Sequence, residues 1–273
     1  MNAREAASKA AARLAAAGVS DAAFEAELLT RESAGVTRAG FFAGAEIDEG
    51  AGMRLETFVE RRATREPAAY ITGHREFFGR DFAVGPGVLI PRPETELLVE
   101  FALKELDADP TAIVVEVGTG SGAVAVSVAA QLPQSAVIAT EISPEAMAFA
   151  RLNAERHRAS VRFVRADLAT PIARADVVLA NLPYIPSWEI EALEPEVSKY
   201  EPLIALDGGV DGFVLIRRLI ADCADRLRPR LLALEVAFGQ AKDVEAILRV
   251  YGVEPWSMKD LSGIDRIVCA RWR

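Results

Sequence analysis

Asn181-Leu182-Pro183-Tyr184 holds the residue types with the narrowest chemical use in this 273-residue chain. An apolar run, Asp176-Val177-Val178-Leu179-Ala180, ends there on a side-chain amide, and a proline and an aromatic follow at once. In open α/β sheets ligands bind at the carboxyl edge, where such a run stops. An amide oxygen, a backbone carbonyl and a ring face together suit a planar NH2 group that is being made nucleophilic. Taken alone, Asn181 reads equally as a turn residue and Tyr184 as a core aromatic. The assignment therefore depends on what else reaches that edge.

Glu116-Val117-Gly118-Thr119-Gly120-Ser121-Gly122 is the second such stretch, set between an apolar strand and a helix. Glycines permit a tight turn and close approach of a ligand, and the helix start offers backbone N–H groups. Glu141, about twenty residues on, closes the next strand, where a carboxylate can accept from a ribose diol. A nucleoside cofactor follows. Gly118-x-Gly120-x-x-Ala123 satisfies a relaxed dinucleotide fingerprint, so an NAD-dependent dehydrogenase stands as a rival. Glu116 favours the other choice, because a carboxylate before the loop repels a pyrophosphate and suits the ammonium of a methionine moiety. Acid-x-Gly-x-Gly-x-Gly resembles the form common in S-adenosylmethionine enzymes. On that reading Glu116, Gly118, Thr119, Gly120, Ser121, Gly122, Glu141 and Asn181 surround the cofactor. Asp167 would accept from the adenine and Leu168 would wall it, although Leu168 alone reads equally as core.

The elements that must position these residues follow from the apolar pattern. Residues 1–66 read as helices. Ala7, Ala11, Leu14 and Ala15 mark one stripe, and Ser20-Asp21 caps a helix carrying Phe24, Ala26, Leu28 and Leu29. Thr37 opens a short third helix, and Met53, Leu55, Phe58 and Val59 with Arg61 and Arg62 mark a fourth. Two extended runs around Gly79 and Gly85 suggest a β-hairpin connector, ahead of Val88-Leu89-Ile90-Pro91-Arg92-Pro93 and a helix start at Glu94-Thr95-Glu96. Beyond residue 94, strands at 112–117, 136–140, 161–165, 176–180, 231–238, 253–258 and 265–272 alternate with helices at 96–106, 121–131, 144–156, 212–227 and 241–250. That alternation predicts an α/β, seven-stranded, doubly wound Rossmann-like sheet whose last strand runs antiparallel. The expected division is 1–76, 77–93 and 94–273.

Composition excludes little beyond this. Half the residues are apolar, 26% are charged and the net charge is −9, so no basic field recommends nucleic acid or a membrane surface. Cys223 and Cys269 lie far apart in apolar segments and are expected reduced and buried. With His74 and His157 the only histidines, no metal site is expected. Arg4, Glu5, Lys9 and Arg13 interrupt the alanine-rich start, so no signal h-region is expected there, and the protein is expected in the cytoplasm.

With those motifs in place, the chain resembles the release factor glutamine methyltransferases (PrmC/HemK). These enzymes use S-adenosylmethionine to methylate the side-chain nitrogen of the glutamine in a release factor's Gly-Gly-Gln motif. Further resemblance lies in Arg65-Glu66-Pro67, Tyr70-Ile71-Thr72-Gly73, Phe77-Phe78-Gly79 and above all Val88–Glu96. Glu196-Val197, Tyr200-Glu201-Pro202, Ala205–Gly209 and Asp260–Gly263 with Asp265-Arg266 add to it. The resemblance implies a class I S-adenosylmethionine methyltransferase domain over 94–273, a helical substrate-recognition domain over 1–76, and S-adenosylhomocysteine as product. The partners implied are peptide chain release factors, with no direct nucleic acid, no membrane and a monomeric enzyme.

The same resemblance assigns Asn181 Oδ1 and the carbonyl of Leu182 as acceptors for the two N–H bonds of the substrate amide. Pro183 stiffens the turn, and Tyr184 covers the amide's face. Arg92 and Glu94 could border the substrate, although a purely architectural role suits them as well. The chain departs from the family pattern in having Leu182 where a proline is usual, Glu116 and Glu141 where aspartate is commoner, and Ala237 for a usual glycine. Rival activities are glutamine methylation of a ribosomal protein, N6-methylation of adenine in nucleic acid, the dehydrogenase, and a module that binds the cofactor without turnover.

Overall fold

The computed structural model of the chain describes residues 1–106, 109 and 111–272. In chain order the first elements are α1 (Ala3–Ala16), α2 (Ala22–Ala34), α3 (Arg38–Phe42), α4 (Glu49–Ala63), α5 (Ala68–Thr72), β1 (His74–Phe77) and β2 (Arg80–Ala83). Then come α6 (Glu96–Leu106), β3 (Ile113–Val117), α7 (Ala123–Gln131), β4 (Ala136–Glu141), α8 (Pro144–Arg156), β5 (Val161–Arg165) and β6 (Val177–Ala180). The rest are α9 (Pro195–Tyr200), α10 (Val214–Asp222), β7 (Leu231–Glu235), α11 (Ala241–Val250), β8 (Pro255–Lys259) and β9 (Asp265–Arg271). They form two compact units, Met1–His74 with Glu194–Tyr200, and Arg75–Leu193 with Glu201–Arg273.

In the helical unit, side-chain caps begin three helices. Asn2, Thr37 and Asp48 accept from the backbone N–H of Arg4, Gly40 and Ala51. The buried stripe of α1 is Ala3, Ala6, Ala7, Ala10 and Leu14, rotated from the expected one so that Ala15 lies outside it. Phe24 and Met53, both expected on apolar faces, are 60% and 64% exposed. The helical period explains this: α4 buries Ala51, Leu55, Val59 and Arg62, and Met53 lies two residues off that row.

Arg62 is therefore a cation on a buried face, and it is paired. Its Nε donates to Glu25 and its Nη2 donates to Glu196 at 2.6 Å. Arg65 donates to both Glu196 oxygens at 2.6 Å and to Glu194 at 2.8 Å, while the Tyr200 hydroxyl donates to the Thr64 carbonyl at 2.8 Å. Helix α9, far along the chain, is thus part of the helical unit's own fold. Partial burial pushes the Glu196 carboxyl up, but Arg65 and Arg62 outweigh it and hold the group down to about 2.

The α/β unit carries a seven-stranded sheet in the order β5-β4-β3-β6-β7-β9-β8. All strands run parallel except β9, which is antiparallel to both its neighbours. The central strands read Ile-Val-Val-Glu-Val, Val-Val-Leu-Ala and Leu-Leu-Ala-Leu-Glu, almost continuously apolar, because helices cover both faces. Successive residues serve opposite layers: Val114, Val177, Leu179 and Leu231 pack on one side, and Val115, Val117, Val178 and Leu232 on the other. The short hairpin β1–β2 pairs residues 74–77 with 80–83, earlier than the run around Gly85 suggests. Cys223 and Cys269 are both free and buried, one in each layer, and burial pushes each thiol up to about 12. Among the described residues no helix is long and apolar enough to cross a membrane.

Candidate active site

Strand order fixes where a ligand belongs. From β3 the chain steps outward to β4 and β5, then returns to place β6 on the other side of β3. The carboxyl ends of β3 and β6 therefore flank the switch point of the sheet. The glycine loop leaves β3 there and Asn181 follows β6, with Val117 paired to Ala180.

The loop is held closed from within. Gly118 and Thr119 N–H both donate to the Thr140 carbonyl, Gly122 N–H to Thr119 O, and Gly120 N–H to Glu141 Oε2 at 2.8 Å. The other Glu141 oxygen accepts from Ile142 and Ser143 N–H, each at 2.9 Å. Asn153 of α8, wholly buried, donates to the carbonyls of Ser121 and Ala83 and accepts from Ala83 N–H, tying the loop to the end of β2. Glu116 accepts from the Thr119 hydroxyl and from Ala125 N–H at 2.9 Å. Burial pushes its carboxyl up to about 8, with help from Glu141 and against those two hydrogen bonds.

A cavity of about 280 Å³ opens beside the loop. That is near the lower end of the range for small-molecule sites and fits a nucleoside-sized ligand. Its wall includes Glu116, Gly118, Thr119, Gly120, Ser121, Glu141, Asp167, Leu168, Asn181, Leu182, Pro183 and Arg92. Gly122, Glu94 and Tyr184 lie outside that wall. Gly122 serves helix packing instead, since a Cβ there would stand 3.1 Å from the Ala150 backbone. The Tyr184 carbonyl accepts from Gln240 Nε2 at 2.8 Å and its ring packs on the apolar layer that holds Leu182. Burial and Glu235 push its phenol up to about 12 against Arg92 and Arg266, so it stays protonated.

The wall also contains residues that sequence reasoning missed. Thr95 sits inside the Val88–Glu96 run and Ile142 directly follows Glu141, so both had a local clue. Arg218 had none: it comes from α10 and donates to Asp167 at 2.7 Å. Pro202, Ile204 and Leu215 supply apolar surface near it in the same wall.

Asn181 is oriented by Thr95, whose hydroxyl accepts from Asn181 Nδ2 at 3.1 Å. No described residue donates to Asn181 Oδ1. Leu182 is buried, and its Cδ2 stands 3.2 Å from where a Cβ on Gly118 would be. Behind Thr95 lies Glu235, the last residue of β7, also buried. Burial raises its carboxyl to about 7. The Thr95 hydroxyl, Arg266 and Arg92 work to lower it and Glu94 to raise it.

These contacts discriminate between ligands. A pyrophosphate needs the loop's N–H groups, and four of them already serve Thr140, Thr119 and Glu141. The wall instead carries the carboxyls of Glu116, Glu141 and Asp167, acceptors suited to a ligand with ammonium and diol donors. The residues present fit a sulfonium nucleoside and do not fit a dinucleotide.

Comparison with known proteins agrees. Residues 5–73 match the PrmC N-terminal domain, and residues 94–192 match the methyltransferase small domain. By overall structure the chain is similar to the catalytic domain of human METTL16 (TM-score 0.58, 16% identity, covering 83% of each chain). It is also similar to a ribosomal protein L11 methylase of Lactobacillus delbrueckii subsp. bulgaricus (TM-score 0.51, 18% identity, 70% of this chain and 84% of that one). At such identities the likeness shows the fold, that of class I methyltransferases. Sequence relatives are much nearer. The release factor glutamine methyltransferase of Geobacter sulfurreducens is 42% identical over 94% of this chain and 92% of its own length. That of Moorella thermoacetica is 39% identical over 99% and 98%. Similarity of this degree, end to end in both partners, settles kinship: the chain belongs to the release factor glutamine methyltransferase family.

Proposed function

We propose that the chain transfers a methyl group from S-adenosylmethionine to the side-chain amide nitrogen of the glutamine in the Gly-Gly-Gln motif of peptide chain release factors. The observation that carries the chemistry is Asn181, on the cavity wall with its NH2 committed to Thr95 and its Oδ1 uncommitted. Near-full-length kinship with release factor glutamine methyltransferases supports the choice of target. The acidic chain, at a net charge of −9, weighs against a nucleic-acid substrate.

S-adenosylmethionine would supply an electrophilic methyl on sulfur: the N–C bond forms as the S–C bond breaks, S-adenosylhomocysteine is the product, and the surplus proton of the amide nitrogen passes to water. Glu116, the loop Gly118–Ser121 and Glu141 would hold the cofactor's methionine and ribose parts, and Asp167 and Leu168 its adenine. The chain's own task is to make an amide nitrogen react, although its lone pair is delocalised into the carbonyl. Asn181 Oδ1 and the Leu182 carbonyl accept its two N–H bonds, fix its plane and favour the charge that develops on it. Pro183 restricts residue 182 to extended conformations and so steadies that carbonyl. Tyr184 covers the amide's face, and Arg92 and Glu94 meet the flanking backbone. Residues 1–76 select the partner, residues 77–93 connect, and residues 94–273 catalyse. The enzyme works as a monomer in the cytoplasm.

Incubation of the full chain with unmethylated release factor and S-adenosylmethionine, read by intact mass and fragmentation, tests this. The expected result is one added methyl on the Gly-Gly-Gln glutamine, and an unmodified factor overturns the proposal. Asn181→Ala is expected to lower turnover by about 10²-fold or more, while cofactor affinity measured by titration falls only modestly.

A further inference from the structure

Thr95 joins the cavity wall to a carboxyl behind it. It lies on that wall, is buried, and accepts from Asn181 Nδ2 through its hydroxyl oxygen at 3.1 Å. A hydroxyl has one proton to donate, and here it favours the ionised form of Glu235. Glu235 stands one strand over at the same sheet edge: Ala180 pairs with Leu234, so Asn181 and Glu235 are the next residues on neighbouring strands. Its Oε2 is buried with no hydrogen-bond partner among the described residues. An unmet buried carboxylate oxygen costs stability, and a methionine or leucine would pack at such a strand end without that cost.

We infer that Glu235 is a positioning residue for methyl transfer, setting through the Thr95 hydroxyl which way the Asn181 amide faces. The inference rests on the function proposed above. The two ends of an amide are alike in shape and opposite in hydrogen bonding. Where the Thr95 hydroxyl turns its proton to the Glu235 carboxylate, Thr95 can only accept from Asn181. Asn181 then presents its NH2 to Thr95 and keeps Oδ1 for the substrate amide. A protonated Glu235 can instead donate to Thr95, which releases the Thr95 proton to Asn181 Oδ1. The Asn181 amide then turns its NH2 toward the substrate's NH2, donor against donor, and the nucleophile loses an acceptor.

The groups facing Glu235 are Thr95, Glu94, Arg92 and Arg266, with the protonated Tyr184 beside it. Arg92 is paired to Glu201 and Arg266 to Asp260. Burial lifts the Glu235 carboxyl to about 7. Activity is then expected to need the ionised form and to fall on the acid side.

The test is steady-state methylation of purified, unmethylated release factor by the full chain, between about pH 5.5 and 9. Wild type should show a one-proton acid limb in kcat. Glu235→Gln should lower kcat at neutral pH by about tenfold or more and flatten that limb, with KM for both substrates within about twofold. Thr95→Val should reproduce this loss and add little to it in the double variant, and Thr95→Ser should restore turnover. Thermal melts of every variant identify any that is unfolded. If Glu235→Gln is, the Thr95 pair decides by the same criteria. Glu235→Gln, or Thr95→Val, with wild-type kcat and an unchanged acid limb would overturn the inference. A wild-type chain that methylates no release factor at any pH overturns the functional reading instead, so the two failures are distinguishable.

Discussion

Leu182 stands where the family resemblance leads one to expect proline, and its side chain does something a proline ring would not. It is buried in the apolar layer, and its Cδ2 occupies the space that a side chain on Gly118, the first glycine of the loop, would need. Its backbone carbonyl remains available as the second acceptor for the substrate amide. Packing and chemistry are thus divided between side chain and main chain at one position. Leu182→Pro should keep turnover close to wild type, because the carbonyl survives, while costing about 1–3 kcal/mol of stability as the packing over Gly118 is lost. Parallel measurement of kcat and the melting temperature checks both halves; a loss of turnover with an unchanged melt would place the leucine's value in the chemistry. At this scale the contiguous residues were legible: Asn181 through Tyr184 and Glu116 through Gly122 carry their pattern in one stretch. The tie from Thr95 to Asn181 was not, nor was Glu235, because a hydroxyl 86 residues from its amide partner leaves no periodic trace.

Among the elements, the segment after Tyr184 shows how a loop can be made rigid without regular structure. Ile185 and Asp207 form a parallel bridge, Ile185 N–H donates to Leu206 O, and Gly208 N–H donates back to Ile185 O at 2.8 Å. Gly212 closes the arrangement at φ +80°, where a Cβ would fall 2.3 Å from the Tyr184 carbonyl oxygen. A clash with backbone cannot be relieved by a rotamer change, so the site's main chain must move. Gly212→Ala should lower stability by about 3 kcal/mol and reduce kcat more than it raises KM; equal kcat and melting temperature would refute the clamp. The strands and helices of the sheet were legible from their alternation, and most ends agree within two residues. The exceptions are the strand expected over 231–238, which stops at Glu235, and the helix expected over 212–227. That helix begins at Val214 and gives way to a wider-wound turn over Cys223–Leu227 that ends on Arg228 at φ +41°.

For the molecule as a whole, the expected division into 1–76, 77–93 and 94–273 took each part as one contiguous stretch. Nothing local marks Glu194–Tyr200 as belonging with α2 and α4; what joins it to them is ion pairing to Arg62 and Arg65 more than 125 residues earlier. That pairing has a pH signature. Glu196 titrates near 2 in the fold against an ordinary value of 4.5. Its contribution is therefore fully present above about pH 4.5 and is lost as pH falls toward 2. Glu196→Gln should lower the melting temperature at neutral pH and shrink the difference from wild type across that acid window. Melts of both proteins from neutral pH downward check it, and a constant difference would show that the pairing adds nothing.

Helix α9 also has a consequence for the order in which the protein acquires its structure during synthesis. The helical unit comes first in the chain, yet the carboxylate that shares Arg62 with Glu25 lies 134 residues later. At synthesis rates of about 5–20 residues per second, Arg62 and Arg65 wait on the order of ten seconds for Glu196. During that interval the first helices can collapse on their alanine and leucine faces, but their buried guanidinium is only half matched. The helical unit is therefore finished late, after the strands on either side of the glycine loop have emerged, and a segment made early is not completed early.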